Sequence, residues 1–340
     1  MQSFVEKNYH ITFNFPDEFN FSWNYIRCDD CYNYPEFIKN LKIHNNQSLI
    51  VLWGIGHRID IYHQEIEVLN EFYESISNPM ILVNGQICQQ PDKLIRFPYA
   101  EWPLFQFYVK TYYETENLSL WPKPKKFLFA STKDYLSRKY LLCELYKNNL
   151  LAQGHVSYKC HVKNYTMERF QHDVQNKFID DCSIIDSLLP LPGFDDSPEV
   201  LMIPPSIGRE CYTSIVTDTF FTGKHLFFSE KVFCSMLFKH IIFYLGPAHS
   251  LKYLRSVGFK TFSHIIDESY DTIENDSRRV VALAKSMIDF LSKPIEEIHK
   301  IYFENLELLE HNQNLVNSLD LNALVNEGFQ KAIKAKRDNV

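Results

Sequence analysis

Short apolar runs closed by glycine or polar residues, each followed by a stretch of helical period, recur in both halves of this chain. That rhythm constrains the fold more than any other feature. Ser48–Ile55 (SLIVLWGI) is continuously apolar and ends around Gly54 and Gly56, as a parallel strand buried on both faces does. Gln64–Ile76 follows with Ile66, Leu69, Phe72, Tyr73 and Ile76 at helical spacing, and Asn78-Pro79 stops it. Met80–Val83 is a second apolar strand, closed by Asn84-Gly85. Strand, helix and strand with short links make a βαβ unit. The first 45 or so residues are aromatic-rich, with short alternating segments such as Tyr9–Phe15 that read as strand.

The rhythm restarts after Trp121–Lys126 (WPKPKK). Two prolines and three lysines in that stretch predict a stiff, polar segment excluded from a central strand. The expected organisation is therefore a first α/β domain over 1–121, a linker over 122–126, and a second α/β domain over 127–340. In the second domain Phe127–Ala130 reads as a strand and Asp134–Asn149 as a helix, with Leu136, Tyr140, Leu141 and Leu145 in register. Gly154–Tyr158, Thr213–Thr217 and His240–Leu245 read as strands. Glu230–Phe238, Ser250–Val257, Arg278–Leu291, Pro294–His311 and Leu321–Lys336 read as helices. Between 160 and 210 the period is weak, and Leu189–Pro205 is a proline-rich loop. Two Rossmann-like domains facing across a cleft, with C-terminal helices, is the architecture this order predicts.

Charge and cysteine usage narrow the function. The net charge of −7 disfavours a nucleic-acid backbone as the main partner. No apolar run approaches the roughly 18–20 residues of a membrane span, and Met1–His10 lacks a basic and then apolar leader pattern; the expectation is a cytoplasmic protein. Eight cysteines are too sparse for a disulfide scaffold, and Cys143, Cys211 and Cys234 lie in apolar stretches where thiols behave as small hydrophobes. Cys28 and Cys31 form a single CxxC without a second ligand pair for zinc.

The segment richest in chemistry is Thr217–Phe259. Ser229-Glu230-Lys231 stands where a loop becomes a helix. Ser229 suits the N-cap, and Glu230 suits the first turn beside the helix dipole. The same helix start can receive phosphate oxygens, with Lys231 adding a point charge and Glu230 accepting from ribose hydroxyls. His240 and His249 flank a strand, where single histidines are more often structural. Asp180-Asp181 and Asp195-Asp196 have the surroundings of solvated turns. No third glycine completes a dinucleotide fingerprint at Gly54-Ile-Gly-His57, and no nucleophile elbow or P-loop is present.

In order along the chain, Thr217-Asp218-Thr219, Ser229-Glu230-Lys231, Gly246-Pro247, Ser250–Leu254, Gly258-Phe259 and Ile266–Asp271 form a series. This series resembles the donor domain of α-1,3-fucosyltransferase-like enzymes. It is more similar still to glycosyltransferase-like proteins of large DNA viruses, phages and marine bacteria. The likeness covers about 150 residues of the second half, and Phe127–Tyr158 is similar to the strand–helix–strand in which an arginine, here Arg138, opens the helix. Asp218 stands where such sequences usually carry glutamate.

The resemblance implies a GT-B fold and an inverting transfer, without a metal or other cofactor, from a nucleotide sugar. A GDP-linked fucose is the donor it suggests, and a glycan, lipid-linked sugar or protein the acceptor. It assigns Arg138 and Lys231 to phosphate, and Glu230 to ribose or the transferred sugar, with Asp218 and Ser229 beside them. An inverting reaction needs a general base, and the first half offers Glu101, within RFPYAEWPLFQF, and His57, after the strand ending at Gly54. A binding or scaffold protein that keeps the fold without the chemistry is the alternative.

Overall fold

The computed structural model describes residues 122–131, 135–158, 203–218 and 226–318, with single positions at 185, 188, 191 and 221, and the backbone of short strands within residues 22–97. The chain divides into two compact units, Met1–Pro103 with Asp320–Val340, and Leu104–Leu319.

In the first unit four parallel strands lie in chain order: β1 (Ser22–Arg27), β2 (Ser48–Gly54), β3 (Met80–Asn84) and β4 (Ile95–Phe97). Gly54 pairs with Asn84 and Ser22 with Ser48. The apolar runs at 48 and 80 are thus adjacent parallel strands, as a βαβ unit requires. The expected strand Tyr9–Phe15, the helix Gln64–Ile76, Cys28 and Cys31 lie outside the described residues.

The second unit contains a second parallel sheet of four strands: β5 (Lys125–Ser131), β6 (Gly154–Tyr158), β7 (Cys211–Thr217) and β8 (Ile241–Leu245), in the order β8-β7-β5-β6. After β6 the chain crosses back to the other side of β5, so strand order reverses between β5 and β7. Every residue of β7 and β8 is buried, which is why both read as continuous apolar or small-residue runs.

Helices cover both faces. Their ranges are α1 (Leu136–Lys147), α2 (Pro205–Arg209), α3 (Glu230–Leu237), α4 (Ser250–Ser256), α5 (Asp276–Leu291), α6 (Ile295–Glu304) and α7 (Leu306–Ser318). Side chains alternate across a strand, and β8 shows the two layers directly. Phe243 meets Phe290 of α5 edge-on at 5.7 Å, whereas its neighbour Tyr244 points to the face carrying the start of α3. Helices α1 and α5 pack together, as do α3 and α7. Among the described residues no helix is long and apolar enough to cross a membrane.

Two expectations need correction. Lys125 and Lys126 belong to β5, an interior strand, and Lys123 and Lys126 are buried. Pro122 and Pro124 precede the first ladder residue, so no paired donor is lost. The lysine amines find backbone carbonyls instead: Lys126 Nζ donates to Leu291 O at 2.8 Å and Lys293 O at 2.6 Å. It thereby places a cation at the carboxyl end of α5, where the helix dipole favours it. Segment 122–126 therefore lies inside the unit that contains β5.

The second correction concerns Pro294–His311, which is not one helix. It breaks at Asn305, whose side-chain amide donates to Ile301 O at 2.8 Å and whose carbonyl oxygen faces His264. An asparagine that bonds back to the preceding turn and outward to a partner competes with helical continuation.

The thiols behave as expected: Cys143, Cys211 and Cys234 are buried. His240 is structural, as lone histidines usually are. One ring nitrogen, Nε2, lies 2.7 Å from Gly208 O and so carries the proton; Nδ1, 2.7 Å from Ser214 Oγ, accepts. Burial, reinforced by the charge of Lys123, holds its pKa well below 6.5. In the unfolded chain this ring takes up a proton near pH 6.5, and in the folded chain it does not. The stability it contributes is therefore complete above about pH 6.5 and is lost as pH falls below that value, by up to about 1.4 kcal/mol per pH unit. Urea titrations of the wild type and His240→Gln between pH 7.5 and 5.5 should show that extra acid loss in the wild type alone.

Candidate functional site

In open parallel sheets a ligand site forms beyond the carboxyl ends of the strands, where strand order reverses. Here that point lies between Ser131, at the end of β5, and Thr217, at the end of β7. Arg138, third residue of α1 and 1% exposed, joins the two ends. Its Nη1 donates to Ser131 Oγ at 2.8 Å and its Nη2 to Thr217 O at 3.1 Å. The guanidinium also stacks over the Tyr135 ring at 4.7 Å. The helix-opening arginine is thus at the strand-order reversal, buried and aligned by its own contacts.

Asp218, the next residue after β7, takes the opposite face. Its carboxylate accepts from Tyr244 Oη, from Ser229 Oγ and from Ser229 N, the last at 3.3 Å to each oxygen. It is 1% exposed, and these donors face its charge in place of water. Burial and this carboxylate hold the Tyr244 phenol well above its ordinary pKa, so it stays a donor.

This contact changes the role read for Ser229. It occupies the N-cap position of α3, but its side chain makes no capping bond to the helix; the hydroxyl is spent on Asp218. The helix start is braced by a residue eleven positions upstream rather than by its own cap. Lys231, second in α3, is half-buried. The backbone of Glu230 opens the helix, while its side chain, with His57 and Glu101, lies outside the described residues.

The remaining motifs of the series organise the same edge. Arg279 of α5, 1% exposed, donates to Gly246 O at 3.0 Å and Ile273 O at 2.6 Å, to Phe221 O, and to Asp276 Oδ1. Asp271 accepts from the backbone N–H groups of Leu251 (2.9 Å) and Lys252 (3.1 Å), occupying the amino end of α4, where a carboxylate is favoured. Burial raises its pKa, and those two N–H groups oppose the rise. Gly258 (φ 98°) ends α4 in the left-handed conformation that glycine adopts at little cost, and Phe259 packs against Phe233.

The series therefore has a physical basis in the fold: it wires the carboxyl edge of one sheet. Of the donor-side candidates, Arg138 reaches Thr217 O at the end of β7, Asp218 is the next residue, Ser229 is tied to Asp218, and Lys231 is the second residue of the helix that Ser229 precedes. Sequence reasoning missed Ser131, Tyr244 and Arg279, whose partners lie 7, 26 and up to 58 positions away in the chain and leave no local pattern. Comparison with protein-family models, with curated proteins and with solved structures finds no match, so the likeness to fucosyltransferase-like enzymes rests on the residues quoted above.

Proposed function

We propose that the chain is a glycosyltransferase that binds the diphosphate of a nucleotide sugar at the carboxyl edge of β5 and β7. The observation that carries this reading is the buried Arg138 guanidinium that spans the strand-order reversal from Ser131 Oγ to Thr217 O; the start of α3, with Lys231, is tied through Ser229 to Asp218, the residue after Thr217. A fixed guanidinium, a helix N-terminus and a lysine are the groups that stabilise a departing diphosphate. In the reaction the acceptor oxygen forms a bond to the anomeric carbon as the bond to the diphosphate oxygen breaks. The acceptor proton passes to a general base, for which Glu101 and His57 are the candidates. Fucose from a GDP-linked donor is the sugar that the resemblance favours.

A specific observation favours a second reading, a binding protein without turnover. The carboxylate of Asp218 and the hydroxyl of Ser229, both candidates for the donor side, are engaged by one another.

Thermal-shift titration with GDP, UDP, CDP and dTDP, with and without magnesium, tests the binding reading by mass action. One diphosphate should raise the melting temperature selectively, and Lys231→Ala should reduce that rise. Stabilisation by none of the four removes the proposal. A bound diphosphate whose sugar conjugate is never consumed, with any acceptor class, favours the second reading.

A further inference from the structure

Other buried hydroxyls in the second sheet and at the helix starts beside it have partners. Ser214 meets His240, Ser229 meets Asp218, Ser250 donates to Pro247 O at 2.6 Å, and Thr213 donates to Lys126 O at 3.0 Å. Thr217 is the exception. It is 1% exposed, and its Oγ1 has no hydrogen-bond partner among the described residues. Ser286 Oγ shares that condition but sits in the middle of α5. Thr217 is the last residue of β7, and its own carbonyl accepts from Arg138 Nη2. A buried hydroxyl without a partner is costly to keep, and this one is held at the strand-order reversal, where ligands of such sheets bind.

We propose that Thr217 Oγ1, together with the Arg138 guanidinium, contacts a phosphate oxygen bound at the strand-order reversal between β5 and β7. The inference rests on the diphosphate-binding reading above and adds to it a contact residue to which the sequence gave no role. The chemistry favours an oxyanion. The hydroxyl lacks an acceptor for its proton, and the neighbouring side chain is a cation with donors in a fixed plane. The adjacent carboxylate in the chain, Asp218, does not oppose this. Adjacent residues leave a strand on opposite faces, and Asp218 is turned toward Ser229 and Tyr244, with its oxygens occupied. On the face of Thr217, Ile215 precedes it by two positions and contributes no charge.

Thr217→Val removes the hydroxyl while keeping the branched shape, so it separates contact from structure. Isothermal titration of the full chain with pyrophosphate, and with GDP, UDP, CDP and dTDP, gives the readout. The wild type should bind pyrophosphate and at least one nucleoside diphosphate. Thr217→Val should bind each roughly tenfold to a hundredfold more weakly, as the loss of one hydrogen bond to a charged acceptor implies. Thr217→Ser should retain most of the affinity. The valine chain should unfold at the wild-type temperature or above it, because its unsatisfied hydroxyl is gone; if it does not fold, Thr217→Ala replaces it in the same titration.

If a nucleoside diphosphate binds and the valine variant matches the wild type, Thr217 is not a contact and the diphosphate-binding reading survives. If pyrophosphate binds through Thr217 but no nucleoside diphosphate binds more tightly, the contact stands and the nucleotide-sugar reading falls. If neither pyrophosphate nor any of the four nucleotides binds the wild type, both are overturned.

Discussion

Arg279→Met is expected to destabilise the second unit by roughly 3–5 kcal/mol, the range observed when one partner of a buried charged network is removed. The guanidinium is 1% exposed and holds three separated pieces of chain at once: Gly246 O at the end of β8, Phe221 O in the segment after β7, and Ile273 O before α5. Methionine fills a similar volume but leaves those carbonyls without their donor, each at the cost of a buried unsatisfied acceptor. Arg279→Lys should fall between, because one ammonium cannot span the planar, forked contacts of a guanidinium. Urea denaturation at pH 7 of the wild type and both variants checks the order. A methionine variant within 1 kcal/mol of the wild type, by the uncertainty typical of such comparisons, would show that these contacts are not a network.

Lys123→Met should act in the opposite direction. The ammonium lies at the start of the second unit's central strand, donates to Cys211 O at 2.7 Å, and sits 5.0 Å from the centre of the Tyr302 ring. Burial lowers its pKa from 10.5 to about 8, with the nearby Cys211 opposing and Lys239 reinforcing the change. While charged, it therefore costs about 3 kcal/mol relative to an unperturbed lysine. Between pH 8 and 10.5 the unfolded chain retains this proton and the folded chain has lost it, so stability from this group rises with pH through that window and its penalty is complete below it.

At pH 7 the methionine variant should be more stable by about 1–3 kcal/mol, since it removes the charge but also the bond to Cys211 O. The advantage should shrink as pH rises from 7 to 9. The comparison must be made as a difference between the two chains. Burial pushes the Cys211 thiol up to about 12 and raises the phenols of Tyr212 and Tyr302. The unfolded chain loses those protons first, so both chains weaken together above about pH 9. A pH-independent difference would show that the Lys123 amine is not displaced.

Much of the secondary structure was legible because it depends on periods of a few residues. Gly154–Tyr158 begins and ends where its pattern does, and Ser48–Ile55, Met80–Val83 and Thr213–Thr217 fall on strands. Ser22–Arg27 and Ile95–Phe97 were not legible, since neither is a continuous apolar run. Lys125 and Lys126 were misjudged for a physical reason: composition treats lysine as solvent-seeking, whereas a long stem can carry its ammonium through a packed layer to a carbonyl. Asn305 broke a helix whose apolar period continues through it, because its amide found partners on both sides.

The candidate site was legible as a set of residues and not as an arrangement. The resemblance set Arg138 at a helix start and gave it to phosphate, while local pattern set Ser229 at the cap of another helix. Only the tertiary structure could set Arg138 on Thr217, 79 positions away, or give the Ser229 hydroxyl to Asp218 instead of to its own helix. It alone left Thr217 Oγ1 without a partner among the described residues.

The amino-acid sequence by itself determined where most described strands and helices of the second half lie and that this half builds a parallel α/β sheet, because backbone propensity and apolar spacing act over one or two turns of chain. Strand order, the point of its reversal and the partner of each buried polar group were decided by tertiary structure. A hydrogen bond such as that from Lys126 to Leu291, across 165 positions, depends on which surfaces pack together, and no local pattern encodes that choice.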